Sequence, residues 1–159
     1  GDARGVPMGG RLSAADGAPR IAVRAAWDPG TAAHPGALLE RVEVIKVWLD
    51  ADGEARERVV LVAGDEGAAA TVDTETCETS GGGFERLCGV WEDDDFDPGR
   101  GAAYYARVLE TPVCRWSTYD CNALPPAERP EESCGEGGLP PTIRERAVTS
   151  PIWIDPAGD

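Results

Sequence analysis

The sequence has no long apolar run, few basic residues and a single histidine, and each of these deficits argues against a class of function. No apolar stretch approaches the roughly 20 residues that a membrane-spanning helix needs. Fifteen Lys and Arg residues stand against 29 Asp and Glu residues, which gives a formal net charge of −14. Because nucleic acids and anionic membrane surfaces attract basic proteins, neither is expected as a partner. One histidine, His34, and no Cys-x-x-Cys pair make a structural zinc site an unfavoured alternative.

Motifs of common catalytic sites are missing as well. The sequence contains no nucleophile elbow, zinc-protease, Walker or dinucleotide-binding motif. The glycines at residues 81–83 do not precede a predicted helix and therefore do not resemble a phosphate-binding loop. His34 lies in a predicted loop without a partner motif and is interpreted as a surface residue. No catalytic residue is predicted, and this chain by itself is not expected to be an enzyme.

Strand patterns dominate the first half of the chain. Residues 41–49, R-V-E-V-I-K-V-W-L, are rich in β-branched residues and alternate between two faces. Val42, Val44 and Trp48 share one predicted face with Lys46. A turn signal, Asp-Ala-Asp-Gly, and the apolar run at residues 58–63 follow, which predicts a β-hairpin. The turn resembles the start of an EF-hand loop, but no glutamate stands at the twelfth position and no helices flank it, so the hairpin is favoured.

Further strand-like segments are predicted at residues 20–27, 102–110, 113–119 and 147–154. Residues 122–141 are predicted to be a long surface loop, and residues 142–146 are compatible with one helical turn. The 20 glycines and 13 prolines indicate many turns. These patterns predict one all-β domain over residues 1–159, an immunoglobulin-like or fibronectin-like β-sandwich with long, disulfide-tied loops.

Five cysteines lie between residues 77 and 134. A Cys77–Cys88 disulfide would close a glycine-rich loop. A Cys121–Cys134 disulfide would close the proline-rich excursion, with Cys114–Cys134 as the competing pair. Closing a loop of this size stabilises by about 3 kcal/mol. Because the number is odd, one thiol is free or pairs outside the chain. Disulfides favour a secreted or periplasmic location.

The acidic segment W-E-D-D-D-F-D-P, residues 91–98, is the sharpest local motif. Asp93, Asp95 and Asp97 alternate along it, and oxygen donors at this spacing can converge on Ca²⁺. A bound cation would also relieve the repulsion between neighbouring carboxylates. The alternative is a solvated acidic loop that ends at an Asp-Pro turn. Calcium is therefore the one cofactor considered for this chain, with Asp93, Asp95 and Asp97 as ligands.

The five tryptophans have two interpretations. Large aromatic side chains commonly fill the core of a β-sandwich, where each buries about 150–250 Å². Exposed and arranged together, they would instead form a platform on which sugar rings stack. The core is the favoured interpretation for this set, which comprises Trp27, Trp48, Trp91, Trp116 and Trp153.

Several stretches taken together indicate a family. They are G-V-P-M-G-G at 5–10, H-P-G at 34–36 followed by R-V-E-V-I-K-V-W at 41–48, F-E-R-L-C-G-V-W-E-D-D-D-F-D-P at 84–98, Y-Y-A-R-V-L-E at 104–110, C-R-W-S-T-Y at 114–119, and T-I-R-E-R-A at 142–147 with S-P-I-W at 150–153. In this order they resemble the C-terminal region of a family of uncharacterised bacterial proteins. Those proteins are longer than this chain and similar to the PHP (polymerase and histidinol phosphatase) metallohydrolases. Asp94 departs from the family pattern, which weakens any inherited function for the acidic loop.

The resemblance implies where catalysis would take place in such a protein. The metal ligands of the family, mostly His and Asp, lie in an N-terminal domain upstream of the segments matched here, so no catalytic residue carries over. The S-P-I-W strand closes the family's proteins, which implies a native C-terminus here and an internal start at Gly1. The parent protein is expected to bind divalent metals elsewhere, as a metal-dependent phosphoesterase of unknown substrate.

Two functions therefore remain open for this chain. The first is a non-catalytic accessory domain that packs against the N-terminal metallohydrolase-like domain of the same secreted protein. The second is a binding or self-assembly module that recognises a surface, a sugar or further copies of itself, because an odd thiol and an exposed domain face both favour a homo-oligomer.

Overall fold

The computed structural model describes residues 5–32, 35–66, 70–135 and 137–157. Strands account for most of the regular structure there, with two short α-helices and two 3₁₀ turns. In chain order the elements are β1 (Arg11–Ser13), β2 (Arg20–Ala26), β3 (Leu39–Leu49), β4 (Ala55–Gly64), β5 (Thr71–Val72), β6 (Thr79–Ser80), β7 (Arg86–Glu92), β8 (Ala102–Glu110), β9 (Val113–Cys114), α1 (Trp116–Ala123), α2 (Glu131–Cys134), β10 (Thr142–Ile143), β11 (Arg146–Val148) and β12 (Ile152–Asp155). Neither helix in these ranges has the length and apolarity to cross a membrane.

A six-stranded sheet forms the larger layer. Its order is β1-β12-β8-β3-β4, and β11 pairs with β8 beside β12. The β1–β12 pair is parallel, and the other pairs are antiparallel. The β-branched β3 lies in the middle and pairs with β4 and β8 along most of its length. Pro151 separates β11 from β12, as expected for a residue that cannot donate a ladder hydrogen bond.

The second layer is the antiparallel pair β2–β7, which packs on one face of the large sheet. We call the covered face the inner face and the opposite one the outer face. The two layers approach closely at Gly89 of β7, where an added Cβ would lie 2.6 Å from the carbonyl oxygen of Val62 on β4. Apolar side chains from both layers fill the space between them; the buried ones are Ala14, Ile21, Leu39, Val42, Val44, Leu87, Ala102, Tyr104 and Ile154.

The predicted hairpin is confirmed by the antiparallel β3–β4 pair. Its turn forms because the Asp50 carboxylate accepts hydrogen bonds from the backbone N–H groups of Asp52 and Glu54, at 3.0 and 2.9 Å. Gly53 adopts φ 80°, a conformation that favours glycine. Since Asp50 also pairs with Arg56 at 2.7 Å, its side chain is committed to the turn.

A smaller assembly, which we call the cap, comprises residues 71–80, 113–135 and 137–143. It contains the β5–β6 pair, the β9–β10 pair and both helices. A disulfide between Cys77 and Cys114 joins the β5–β6 segment to β9. A second, between Cys121 and Cys134, joins α1 to α2. The cap is therefore held together mainly by cross-links and hydrogen bonds.

Three predictions in this region are wrong in detail. The predicted strand at 113–119 ends after Cys114, and α1 begins at Trp116. The predicted helical turn at 142–146 is strand β10, followed by the start of β11. The predicted loop at 122–141 contains the end of α1, a 3₁₀ turn at Pro126–Glu128 and α2. Helix α1 was missed because its aromatic residues are exposed while polar Thr118 and Asn122 are partly buried, which inverts the usual hydrophobic pattern.

The predicted all-β, sandwich-like fold is confirmed, with two layers and two disulfides. Disulfides indicate an oxidising, extracytoplasmic environment. The immunoglobulin-like or fibronectin-like topology and the assignment of residues 1–159 to a single domain stay predictions.

Candidate functional site

A buried polar cluster lies where the acidic loop meets the large sheet. The Lys46 Nζ atom of β3 is 2.6 Å from Asp93 Oδ2 and donates to the Asp95 carbonyl oxygen at 2.7 Å. The Tyr104 hydroxyl of β8 donates to the same Asp93 oxygen at 2.6 Å. Asp93 Oδ1 accepts from the Asp95 backbone N–H at 3.1 Å. Lys46, Asp93 and Tyr104 are each at most 5% exposed, so this ion pair is held away from water.

The polar groups of this cluster are bonded to one another. Burial first, and then the hydrogen bond to the Asp93 carboxylate, raise the pKa of Tyr104 above its usual range, so the phenol stays protonated at neutral pH. A cavity of about 160 Å³ adjoins Lys46, Tyr104 and Phe96. Among the described residues, no buried side-chain polar atom lacks a hydrogen-bond partner. An ammonium, a carboxylate and a phenol that satisfy one another stabilise the fold and leave no activated nucleophile.

The structure does not bring Asp93, Asp95 and Asp97 together as a calcium site. Asp93 points inward to Lys46, while the Asp97 carboxylate lies 3.3 Å from the Arg100 guanidinium and caps the backbone N–H of Gly99. In the part of the chain that the structure describes, no three His, Cys, Asp or Glu side chains gather as a metal site. The carboxylates of Asp93 and Asp97 are thus paired with cations of the protein itself, and calcium binding by this loop stays a prediction.

Asp94 has a separate role. Its carboxylate lies 2.7 Å from the Arg58 guanidinium of β4, and this contact holds the pKa of Asp94 below its usual value. The Arg58 guanidinium also lies over the Trp91 ring, 5.9 Å from its centroid. The acidic loop is thus fixed to the large sheet by Lys46 of β3 and Arg58 of β4.

One of the two disulfides in the structure was predicted from the sequence. Cys121–Cys134 forms as predicted, so the competing Cys114–Cys134 pair is wrong. Cys77–Cys88 is also wrong, because Cys77 pairs with Cys114 instead. Cys88 is free and exposed on β7, within the second layer and away from the cap. Proximity in sequence favoured Cys77–Cys88, but β7 carries Cys88 into a ladder opposite Arg24.

The five tryptophans lie in different environments, and His34 lies outside the described residues. Trp27, Trp48 and Trp91 pack against the core, as predicted for the set. Trp153 is 47% exposed and Trp116 is 78% exposed, so the core interpretation is wrong for these two.

The outer face of the large sheet carries an apolar surface. Leu49, Val59, Leu61 and Trp153 are each at least 41% exposed and project from β3, β4 and β12. Around Trp153, a groove of about 560 Å³ is lined largely by apolar side chains of three strands, including Val47, Leu49, Ala103, Tyr105 and Pro151. We call the exposed set and the groove together the outer apolar surface.

A network of charges borders this surface. Glu43 Oε1 lies 2.6 Å from Arg41 Nε, and its Oε2 lies 2.6 Å from an Arg107 guanidinium nitrogen. Glu40 Oε2 lies 2.9 Å from Arg41 and 3.0 Å from Arg144. Both glutamates are buried, while the arginines reach towards solvent. Three guanidinium groups and the two buried carboxylates therefore form a charged border beside this surface.

Glu43 is expected to make the free energy of unfolding depend on pH in the acid range. Burial alone would raise its pKa, but hydrogen bonds from Arg41 and Arg107 outweigh burial and leave the pKa of Glu43 below its ordinary value. Its contribution is therefore complete above about pH 4.3, the ordinary pKa of glutamate, and is lost as the pH falls through the lower folded-state value. We expect E43Q to cost about 1.5–3 kcal/mol at pH 6 and less at pH 3.

Urea unfolding at the two pH values measures this difference. The exposed Glu57 of β4 provides a control, since E57Q should change stability by less than about 0.5 kcal/mol at pH 6. An equal cost of E43Q at both pH values would contradict the assigned role of Glu43.

Sequence inspection missed the partners of the acidic loop. Lys46 was placed on the inner face with Val42, Val44 and Trp48, where the structure has it. A charged residue on an otherwise apolar stripe needs a buried counter-charge, and the alternating acidic segment was the available source. That signal pointed to an Asp–Lys pair, and it competed with a calcium interpretation that satisfied the same carboxylates.

Comparison with known proteins gives one match. A family model described as "Protein of unknown function (DUF3604)" matches residues 1–156. No curated protein and no solved structure matches the chain. The family match confirms the expected resemblance to an uncharacterised family. It provides no evidence for a link to PHP metallohydrolases, which stays a prediction.

Proposed function

This chain belongs to the DUF3604 family of proteins of unknown function, and we propose that it is a non-catalytic accessory domain of a secreted bacterial protein. In this proposal the chain docks against a PHP-like, metal-dependent hydrolase domain of the same polypeptide. The hydrolase, phosphoesterase-like and of unknown substrate, would bind its divalent metals in its own residues. The accessory domain would support that domain and shape access to it.

The outer apolar surface is the observation that carries the proposal. An antiparallel sheet that has one face on the core normally turns polar side chains to water on the other. Here Leu49 and Trp153 are 59% and 47% exposed, and Val59 and Leu61 extend the apolar surface to the sheet edge. Exposed apolar side chains grouped on one face of a sheet are typical of an interaction site.

The form of the surface favours a protein domain as its occupant. Exposed apolar side chains spread over three strands, well beyond the groove around Trp153. The arginine-rich border of Arg41, Arg107 and Arg144 then supplies a polar rim. An apolar centre with a polar rim is the usual anatomy of a protein–protein interface.

A charged substitution in the outer apolar surface tests the docking. In the longer polypeptide, we expect the accessory domain to melt at a higher temperature than the isolated chain, because docking buries apolar area. L49E should remove that difference, while the isolated L49E chain should melt close to the isolated wild type, since Leu49 is exposed. Differential scanning calorimetry of the four proteins measures both effects.

Val90 provides a matched control. It is 59% exposed, as Leu49 is, but lies on β7 in the opposite layer. V90E should keep the stability difference between the longer polypeptide and the isolated chain. Equal effects of L49E and V90E, or equal melting temperatures of the wild-type proteins, would contradict docking through the outer apolar surface.

Self-assembly is the second candidate, and the position of β4 favours it. Within the described residues β4 ends the sheet order, so its second edge has no strand partner there. This edge is ten residues long and carries the exposed Val59 and Leu61. Long apolar edge strands pair with further copies of a chain. A dimer in light scattering that V59K converts to monomer would favour self-assembly over docking.

A further inference from the structure

Helix α1 of the cap exposes its aromatic side chains and turns polar ones towards the protein. Trp116, Tyr119 and Asp120 are exposed, while Thr118 and Cys121 on the other side face the protein. Residues at spacings of three and four share a helix face, so the two aromatic rings and the carboxylate form one stripe. A helix placed only for stability would bury its aromatic residues and expose its polar ones.

The polar side of α1 is specifically bonded. The Thr118 hydroxyl donates to the Pro141 carbonyl oxygen at 2.7 Å, and the Asn122 side-chain amide donates to the carbonyl oxygens of Thr74 and Glu75 at 2.9 and 3.1 Å. The orientation of the helix is therefore fixed by hydrogen bonds from its partly buried polar side chains. The outward position of the aromatic rings follows from this orientation.

Two disulfides make the position rigid. Cys114 lies two residues before α1 and is bonded to Cys77, and Cys121 within α1 is bonded to Cys134. A rigidly mounted aromatic side chain loses little conformational entropy when it binds a ligand. The exposed Trp116 on this small, cross-linked segment is therefore preorganised for binding a ligand.

The rings themselves form a shallow platform. Trp116 and Tyr119 have centroids 6.1 Å apart and ring planes tilted by 52°. Trp116 is 78% exposed and Tyr119 is 47% exposed, so ring surface is open to a ligand. Successive sugar rings of an oligosaccharide are also rotated relative to one another, and their C–H faces stack on aromatic rings. Asp120 beside Tyr119 can accept hydrogen bonds from sugar hydroxyl groups.

We infer that the stripe of Trp116, Tyr119 and Asp120 is a binding site for a neutral glycan. The net charge of the chain favours neutral over anionic glycans, because a chain of net charge −14 repels uronate-containing and sulfated polymers. Location agrees, since disulfides place the domain in an extracytoplasmic environment, where polysaccharides are abundant. This surface belongs to the cap and is separate from the outer apolar surface of the large sheet.

Tryptophan fluorescence and calorimetric titrations test the site. The probes are the neutral hexamers of glucose, mannose and N-acetylglucosamine, with oligogalacturonate as the anionic comparison. We expect at least one neutral hexamer to bind at up to millimolar concentration and oligogalacturonate not to bind. W116A should weaken that binding by about tenfold or more, and W116F should weaken it less.

Trp153 supplies the matched control, because it is also exposed but lies on β12. W153A should bind the hexamer as the wild type does, and near-identical thermal melts would show that W116A and W153A are folded. Absence of binding by all three neutral hexamers, or equal binding by W116A and the wild type, would overturn the inference. Failure here leaves the docking result at Leu49 unaffected, so the two proposals can fail separately.

Discussion

Replacing Asp93 by alanine is expected to lower the free energy of unfolding by about 3–5 kcal/mol. The substitution leaves the Lys46 ammonium buried without its carboxylate, and the Tyr104 hydroxyl loses its acceptor. A buried charge without a partner is one of the few single changes with an effect of this size. Urea unfolding of D93A and the wild type at pH 7 measures it.

Two comparisons separate the buried pair from a general effect of the acidic loop. D95A removes an exposed carboxylate two residues away and should cost less than about 0.5 kcal/mol. The double variant K46M/D93L removes both charges and should recover most of the stability that D93A loses, because apolar replacement of a buried pair is often neutral. A loss in K46M/D93L as large as in D93A would show that Lys46 and Asp93 are not coupled.

Removing the Cys77–Cys114 disulfide is expected to have the second large effect. It closes a loop of sequence separation 37, for which the chain-entropy model gives about 4 kcal/mol. The Cys121–Cys134 disulfide, with separation 13, should contribute about 3 kcal/mol. The difference arises because the longer loop restricts the unfolded chain more. Urea unfolding of C77S/C114S and C121S/C134S measures the two losses.

Cys88 provides the control for both pairs. It is free and exposed, so C88S should change stability by less than about 0.5 kcal/mol and leave both disulfides intact. Peptide mapping under non-reducing conditions identifies the linked peptides directly. A Cys77–Cys88 peptide, or a C88S variant as unstable as C77S/C114S, would contradict the pairing described here.

Short-range sequence patterns were sufficient to predict features that form between residues close together in the chain. The alternation in β3 placed Val42, Val44, Lys46 and Trp48 on one face, and the Asp-Gly turn predicted the hairpin. Cys121 and Cys134 paired as expected because α1 and α2, which carry them, follow each other in the chain and pack together. Each of these results depends on residues close together in the chain.

The remaining features depend on contacts between distant segments. Cys77 meets Cys114 because β5–β6 packs beside β9, an arrangement that no local pattern encodes. Asp93 could satisfy either a metal or a buried lysine, and the choice depends on the register that places Lys46 beneath the loop. Helix α1 reads as a strand because its aromatic residues face solvent. Sequence periodicity reports burial, and it misleads at α1, where Trp116 and Tyr119 are exposed.

Oxidative footprinting of tryptophan is the most direct test of the central claim that the outer apolar surface holds another domain of the same polypeptide. Hydroxyl radicals should label Trp153 in the isolated chain and much less in the longer polypeptide, while the partly buried Trp91 should be labelled to the same extent in both. Protection of Trp153 is the predicted result. Equal labelling of Trp153 in the two proteins would contradict the claim.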